Sequence, residues 1–144
     1  MILSHLFCYG TLLAKEVRDK VLQYDTNKLM IKKGFIEGFE VRRVKHTNYP
    51  MLVKSKKKSI VNGEILLNLS KEDFRKLDSF EGENYKKKAL NVITNDGNLK
   101  CNVYVAITKL KFEEIWNFDS WYKYDINKFF LEDFNCSGVK KPKT

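Results

Sequence analysis

From Gly10 to Gly97 a glycine or proline cuts the chain before any apolar stretch grows long, and this punctuation dictates short elements. Ile2–Cys8 is a run of strand formers broken by Tyr9-Gly10-Thr11. Leu13, Val17, Val21 and Tyr24 then recur at helical spacing, predicting a helix over 12–24. Leu29–Ile36, Gly38–Val44 and Pro50–Val53 read as short strands, Lys54–Ser59 as an exposed hairpin connection and Ile60–Leu69 as a strand. Gly63 inside that strand marks a bulge or a close backbone approach. Ser70-Lys71-Glu72-Asp73 resembles a capping box, the helix after it carries Phe74, Leu77 and Phe80 on one stripe, and Gly82 stops it. Tyr85–Thr94 and Leu99–Thr108 form a hairpin around Asn95-Asp96-Gly97-Asn98. From Lys109 the chain is strongly aromatic, which predicts one or two short helices packed on the domain and a frayed tail from Asn135.

The chain has 144 residues, room for one domain of ordinary size. No apolar run nears the roughly 20 residues that span a bilayer, so no membrane partner is expected. The N-terminus has neither a basic leader nor a small-residue cleavage site, and the cytoplasm is the expected location. Cys8, Cys101 and Cys136 are widely spaced, which suits neither a disulfide framework nor zinc. Net charge is +9, almost all from lysine, clustered at Lys54–Lys58, Lys86–Lys88 and Lys140–Lys143. Solvated faces, steering of an acidic substrate and nucleic-acid contact all fit such clusters. Few arginines and no nucleic-acid motif disfavour the last.

A serine or cysteine nucleophile needs a base in reach, and the two histidines, His5 and His46, belong to no such motif. No phosphate loop, dinucleotide fingerprint or metal-binding HExxH occurs. Chemistry must then rest on a carboxylate, backbone amides and tyrosine. Two segments offer these. Tyr9-Gly10-Thr11-Leu12 follows a strand, and a glycine turn before a helix leaves amides that can hold a carboxylate or oxyanion; an ordinary strand-to-helix turn has the same sequence. Glu81 falls at a helix C-terminus beside Phe80, where the dipole and burial raise a carboxyl pKa; a plain surface glutamate remains the alternative. Asp78 and Glu83 look like solvated or capping groups.

Together these pieces resemble the γ-glutamyl cyclotransferase-like superfamily, in particular its avirulence-induced and γ-glutamylamine cyclotransferase-like branch. The resemblance rests on Leu6-Phe7-Cys8-Tyr9-Gly10-Thr11-Leu12-Leu13, Gly34-Phe35-Ile36 with Gly38-Phe39, and Tyr49-Pro50-Met51-Leu52-Val53. It continues through Val61-Asn62-Gly63-Glu64-Ile65, Leu77-Asp78-Ser79-Phe80-Glu81-Gly82, Tyr85, Val103-Tyr104-Val105 and Trp116-Asn117-Phe118-Asp119-Ser120-Trp121. Cys8 stands where a valine is common and Met51 where an alanine is, and the final tail matches nothing. The resemblance implies an α+β fold, a small mostly antiparallel β-barrel flanked by helices, over residues 1–134, with 135–144 a flexible basic tail. It also implies that Glu81 is the catalytic acid/base, that Tyr9, Gly10, Thr11 and Leu12 bind the γ-glutamyl group, and that Tyr85 and Tyr104 line the cavity, although core packing would use the same tyrosines. The expected partner is a small γ-glutamyl substrate, with no metal or cofactor required. A member of the same fold that binds a metabolite without turnover is the alternative. A homodimer is one use for aromatics near Trp116–Tyr124, and covering the core is the other.

Overall fold

The computed structural model describes residues 4–107 and 110–134. Strand β1 (Leu6–Cys8) leads through a 3-10 turn (Thr11–Leu13) into α1 (Lys15–Leu22). A second 3-10 turn (Thr26–Lys28) precedes β2 (Ile31–Glu37), β3 (Phe39–Val44), β4 (Pro50–Lys54) and β5 (Ile60–Leu66). Then come α2 (Lys71–Glu81), the hairpin β6 (Tyr85–Thr94) and β7 (Gly97–Ala106), and β8 (Phe112–Ile115). Helices α3 (Phe118–Tyr124) and α4 (Ile126–Lys128) and a π-turn (Phe129–Asp133) end the described chain.

Five strands close into a barrel in the order β1-β5-β2-β6-β7, and β4-β3-β8 form a separate sheet. Every pairing is antiparallel except β1 with β7. The expected α+β barrel with flanking helices is therefore the fold. Strand alternation divides the core in two. Phe7, Ile65, Val92, Cys101 and Val103 fill the barrel, while Leu6, Cys8 and Leu66 point outward into a second cluster with Val17, Leu77 and Phe80 of the helices. Cys8 and Cys101 are buried apolar packers, and Cys136 lies outside the described residues.

Local signals are realised closely around α2. Asp73 N–H donates to Ser70 Oγ at 3.0 Å and Ser70 N–H to Asp73 Oδ2 at 2.9 Å, completing the capping box. At the other end Gly82 takes φ +73, a conformation that glycine alone enters freely, and its N–H closes on the Asp78 carbonyl at 3.0 Å.

Two expectations are corrected. Lys54–Ser59 is no hairpin: β4 pairs with β3 and β5 with β1 and β2, so the segment carries the chain from one sheet to the other. The aromatic C-terminal stretch also opens with a strand, β8, which pairs with β3 across a register shift. Trp116 and Trp121 are buried and cover the core, whereas Tyr122 and Tyr124 are exposed. The Lys140–Lys143 cluster and the expected tail lie outside the described residues.

Candidate active site

One cavity collects all seven residues singled out in the sequence. Tyr9, Gly10, Thr11 and Leu12 form one wall, and Glu81, Tyr85 and Tyr104 line the same space. The space between these walls, its open mouth included, is about 600 Å³, and most of it opens to solvent. Phe7, Tyr49, Pro50, Phe80 and Phe129 give it an apolar lining, and Glu81 is the one carboxyl among its described lining residues.

The loop wall is built by close packing. A Cβ on Gly10 would lie 2.6 Å from Pro50 Cγ, so only glycine lets Pro50 seat against the turn. Thr11 and Leu12 begin the 3-10 turn, whose first bonds are Leu13 N–H to Gly10 O at 2.9 Å and Ala14 N–H to Thr11 O at 3.1 Å. The turn therefore offers the Thr11 and Leu12 amides no acceptor of its own. Beneath it lies buried Arg18, whose Nη1 donates to Leu12 O at 3.2 Å, Leu13 O at 3.0 Å and Glu64 Oε1 at 3.3 Å. Arg18 thereby ties the Leu12–Leu13 and Leu13–Ala14 peptides, which close the turn, to the Glu64 side chain of β5.

The opposite wall is the last turn of α2. Burial first, and the Asp78 charge one turn earlier second, together push the Glu81 carboxyl up to about 8. Burial leads among these causes. Asp78 is not the merely solvated or capping group expected: its Oδ1 accepts from Tyr104 Oη at 2.6 Å and its Oδ2 from Lys87 Nζ at 3.3 Å.

The tyrosines hold the walls together. Tyr9 Oη donates to Tyr104 O at 2.6 Å and Tyr85 Oη to Pro50 O at 2.8 Å. Each of the three phenols thus donates its proton to a protein acceptor, and burial holds all three, and the Cys8 thiol, well above their usual titration range. Glu81 is left as the lining side chain that changes charge near neutrality. Among the described residues no three His, Cys, Asp or Glu side chains gather to hold a metal.

Sequence reasoning missed Arg18, Asn84, Tyr49 and Phe129. Phe129 comes from the C-terminal stretch, meeting Phe80 at 6.2 Å and Trp121 at 5.4 Å between ring centroids. The aromatic density after Lys109 was the available signal; nothing local marked which ring enters the cavity.

The family model described as "Gamma-glutamyl cyclotransferase, AIG2-like" matches residues 6–123. AIG2-like protein A of Arabidopsis thaliana is 29% identical over 97% of this chain and 86% of its own length. A solution structure of another Arabidopsis thaliana protein superposes with a TM-score of 0.68 at 25% identity, covering 91% of this chain and 88% of the other. A solved structure named "Gamma-glutamyl cyclotransferase" gives a TM-score of 0.62 at 16% identity, covering 75% of this chain and 68% of the other, a likeness of fold.

Proposed function

This chain belongs to the AIG2-like γ-glutamyl cyclotransferase family, and from that premise we propose that it releases 5-oxoproline from a γ-glutamyl amine, amino acid or peptide. The observation that carries the reading is the pairing of Glu81, the cavity's one lining carboxyl, with the Tyr9–Leu12 turn in a single apolar pocket.

Such a substrate contains its own nucleophile. Its α-amine attacks the side-chain carbonyl carbon, a ring of five atoms closes, and the C–N bond to the leaving amine breaks. Because the attack is intramolecular, the protein must curl the substrate and move protons, which is where effective concentration and positioning act. Ionised Glu81 takes a proton from the α-ammonium. The free amine adds to the carbonyl, and the Thr11 and Leu12 amides donate to the oxyanion that forms. The carboxylic acid then protonates the leaving nitrogen as the C–N bond breaks, and the carboxylate so regenerated takes the extra proton from the ring nitrogen and passes it to the released amine, which leaves as an ammonium; the same residue thus serves as base and acid. A pKa of about 8 suits this double task, since both forms of Glu81 are accessible near neutral pH. The apolar lining strengthens each of these electrostatic contacts by excluding water.

The experiment is an assay of 5-oxoproline release across γ-glutamyl amines, γ-glutamyl amino acids and γ-glutamyl-lysine isopeptides, each run beside its Nα-acetylated form. Turnover of at least one free-amine compound, with none of its acetylated twin, is the expected result. Release from the acetylated compounds would show that the α-amine is not the nucleophile. Silence across the whole panel would leave the site without this activity.

A further inference from the structure

Tyr104 reaches both walls of the cavity at once. Its main-chain carbonyl accepts from Tyr9 Oη at 2.6 Å, on the loop side, and its phenol donates to Asp78 Oδ1 at 2.6 Å, on the α2 side. Asp78 lies three residues before Glu81, hence on the same face of the helix, one turn away. Lys87 of β6 takes the other Asp78 oxygen at 3.3 Å and also lies over the Phe74 ring at 4.9 Å. An acidic side chain at a half-exposed helix position would ordinarily swing freely in water. Here a buried phenol and a lysine grip both of its oxygens.

We infer that Asp78 is a positioning residue for Glu81, and that Tyr104 is the strut holding its charge against the cavity wall. The inference rests on the cyclotransferase reading for its consequence in turnover, though not for its physical content. The groups facing Glu81 come from every side: Cys8 at the end of β1, Tyr9 beyond it, Tyr49 before β4, Tyr85 on β6, Tyr104 on β7 and Asp78 on α2 itself. Burial keeps Cys8, Tyr9, Tyr85 and Tyr104 uncharged at neutral pH, and Phe129 of the C-terminal segment is apolar. Asp78 is then the anionic neighbour that favours a proton on Glu81. Removing that charge should make Glu81 release its proton more readily, so it would stay the base at lower pH and become a poorer acid toward the leaving amine.

The test is a carboxyl ¹³C NMR titration of the full chain labelled at glutamate, with the Glu81 resonance assigned by its loss in Glu81→Gln. The pH dependence of 5-oxoproline release from a γ-glutamyl alkylamide is measured beside it. In Asp78→Asn, which keeps an acceptor for Tyr104, the Glu81 midpoint is expected to fall by roughly 0.5–1 pH unit, with the acid limb of kcat/KM moving the same way. A midpoint unchanged or raised overturns the inference. If Asp78→Asn fails to fold, Tyr104→Phe replaces it: untying the carboxylate should lower the midpoint part of the way, and an unmoved midpoint there is equally fatal. Absence of turnover in the unaltered protein would count against the cyclotransferase reading alone, because the NMR titration still decides the role of Asp78.

Discussion

A carboxyl that holds its proton in the folded chain and loses it in the unfolded chain makes stability depend on pH. Glu81 is such a group, with a folded value of about 8 against an ordinary 4.5. The unfolded chain gives up this proton near 4.5 while the folded chain keeps it to about 8, so stability from this group is fully present below 4.5. It is lost as pH rises through that interval. Glu81→Gln, neutral at every pH, should therefore gain stability over the unaltered protein at pH 9 by on the order of 1–3 kcal/mol, discounted because the cavity mouth admits solvent. At pH 5 the gain should be small. Urea unfolding at the two pH values measures this, and a difference that does not change with pH would contradict it. At this scale the sequence was informative about identity and poor on partners. Glu81 and the Tyr9–Leu12 turn are local motifs, whereas Tyr9 meets the Tyr104 carbonyl across 95 positions and Tyr104 meets Asp78 across 26. No short-range pattern encodes contacts of that separation, so Tyr9 reads as part of the substrate-binding turn, Tyr85 and Tyr104 as cavity lining or core packing, and Asp78 as a solvated or capping group.

Among elements, α2 and the C-terminal segment bring their residues to the site by different means. Helix α2 is specified by its own sequence, from the Ser70–Asp73 box to Gly82, and its end points are those expected. The C-terminal segment depends on tertiary packing: α4 has three residues and the π-turn five, too short to persist alone. Its order comes from rings, with Phe129 set against Phe80, Trp121, Phe130 and Phe134 at 5.4–6.2 Å between centroids. Phe129→Ala should thus cost about 3–5 kcal/mol of stability and open the cavity to water, lowering the Glu81 midpoint. Thermal unfolding and the carboxyl titration test the two effects; a stable variant with Glu81 unmoved would show that Phe129 does not seal the site. The strand β8 and the crossover at Lys54–Ser59 escaped prediction for a related reason. A four-residue edge strand has little periodicity, and a connection between two sheets carries the same exposed, lysine-rich sequence as a hairpin turn.

For the molecule as a whole, the barrel is the frame that puts the loop after β1 beside α2, the helix between β5 and β6. Gly63 contributes by leaving β1 close: a Cβ there would sit 2.2 Å from the Cys8 carbonyl, directly behind the cradle. The close approach expected at that glycine is real, and it links barrel closure to the site. The net charge of +9 takes no visible part in the cavity, whose described lining includes no lysine or arginine, and Lys54, Lys56–Lys58 and Lys86–Lys88 stand exposed. What the proposed chemistry asks of this fold is a lone proton carrier enclosed with a set of amide donors. Its most direct measurement is the rate of 5-oxoproline release by Glu81→Gln on whichever γ-glutamyl compound the unaltered protein turns over. A fall of about 100-fold or more, with the fold intact by circular dichroism and the compound still bound, is the predicted result. A rate within a few-fold of the unaltered protein would contradict the account.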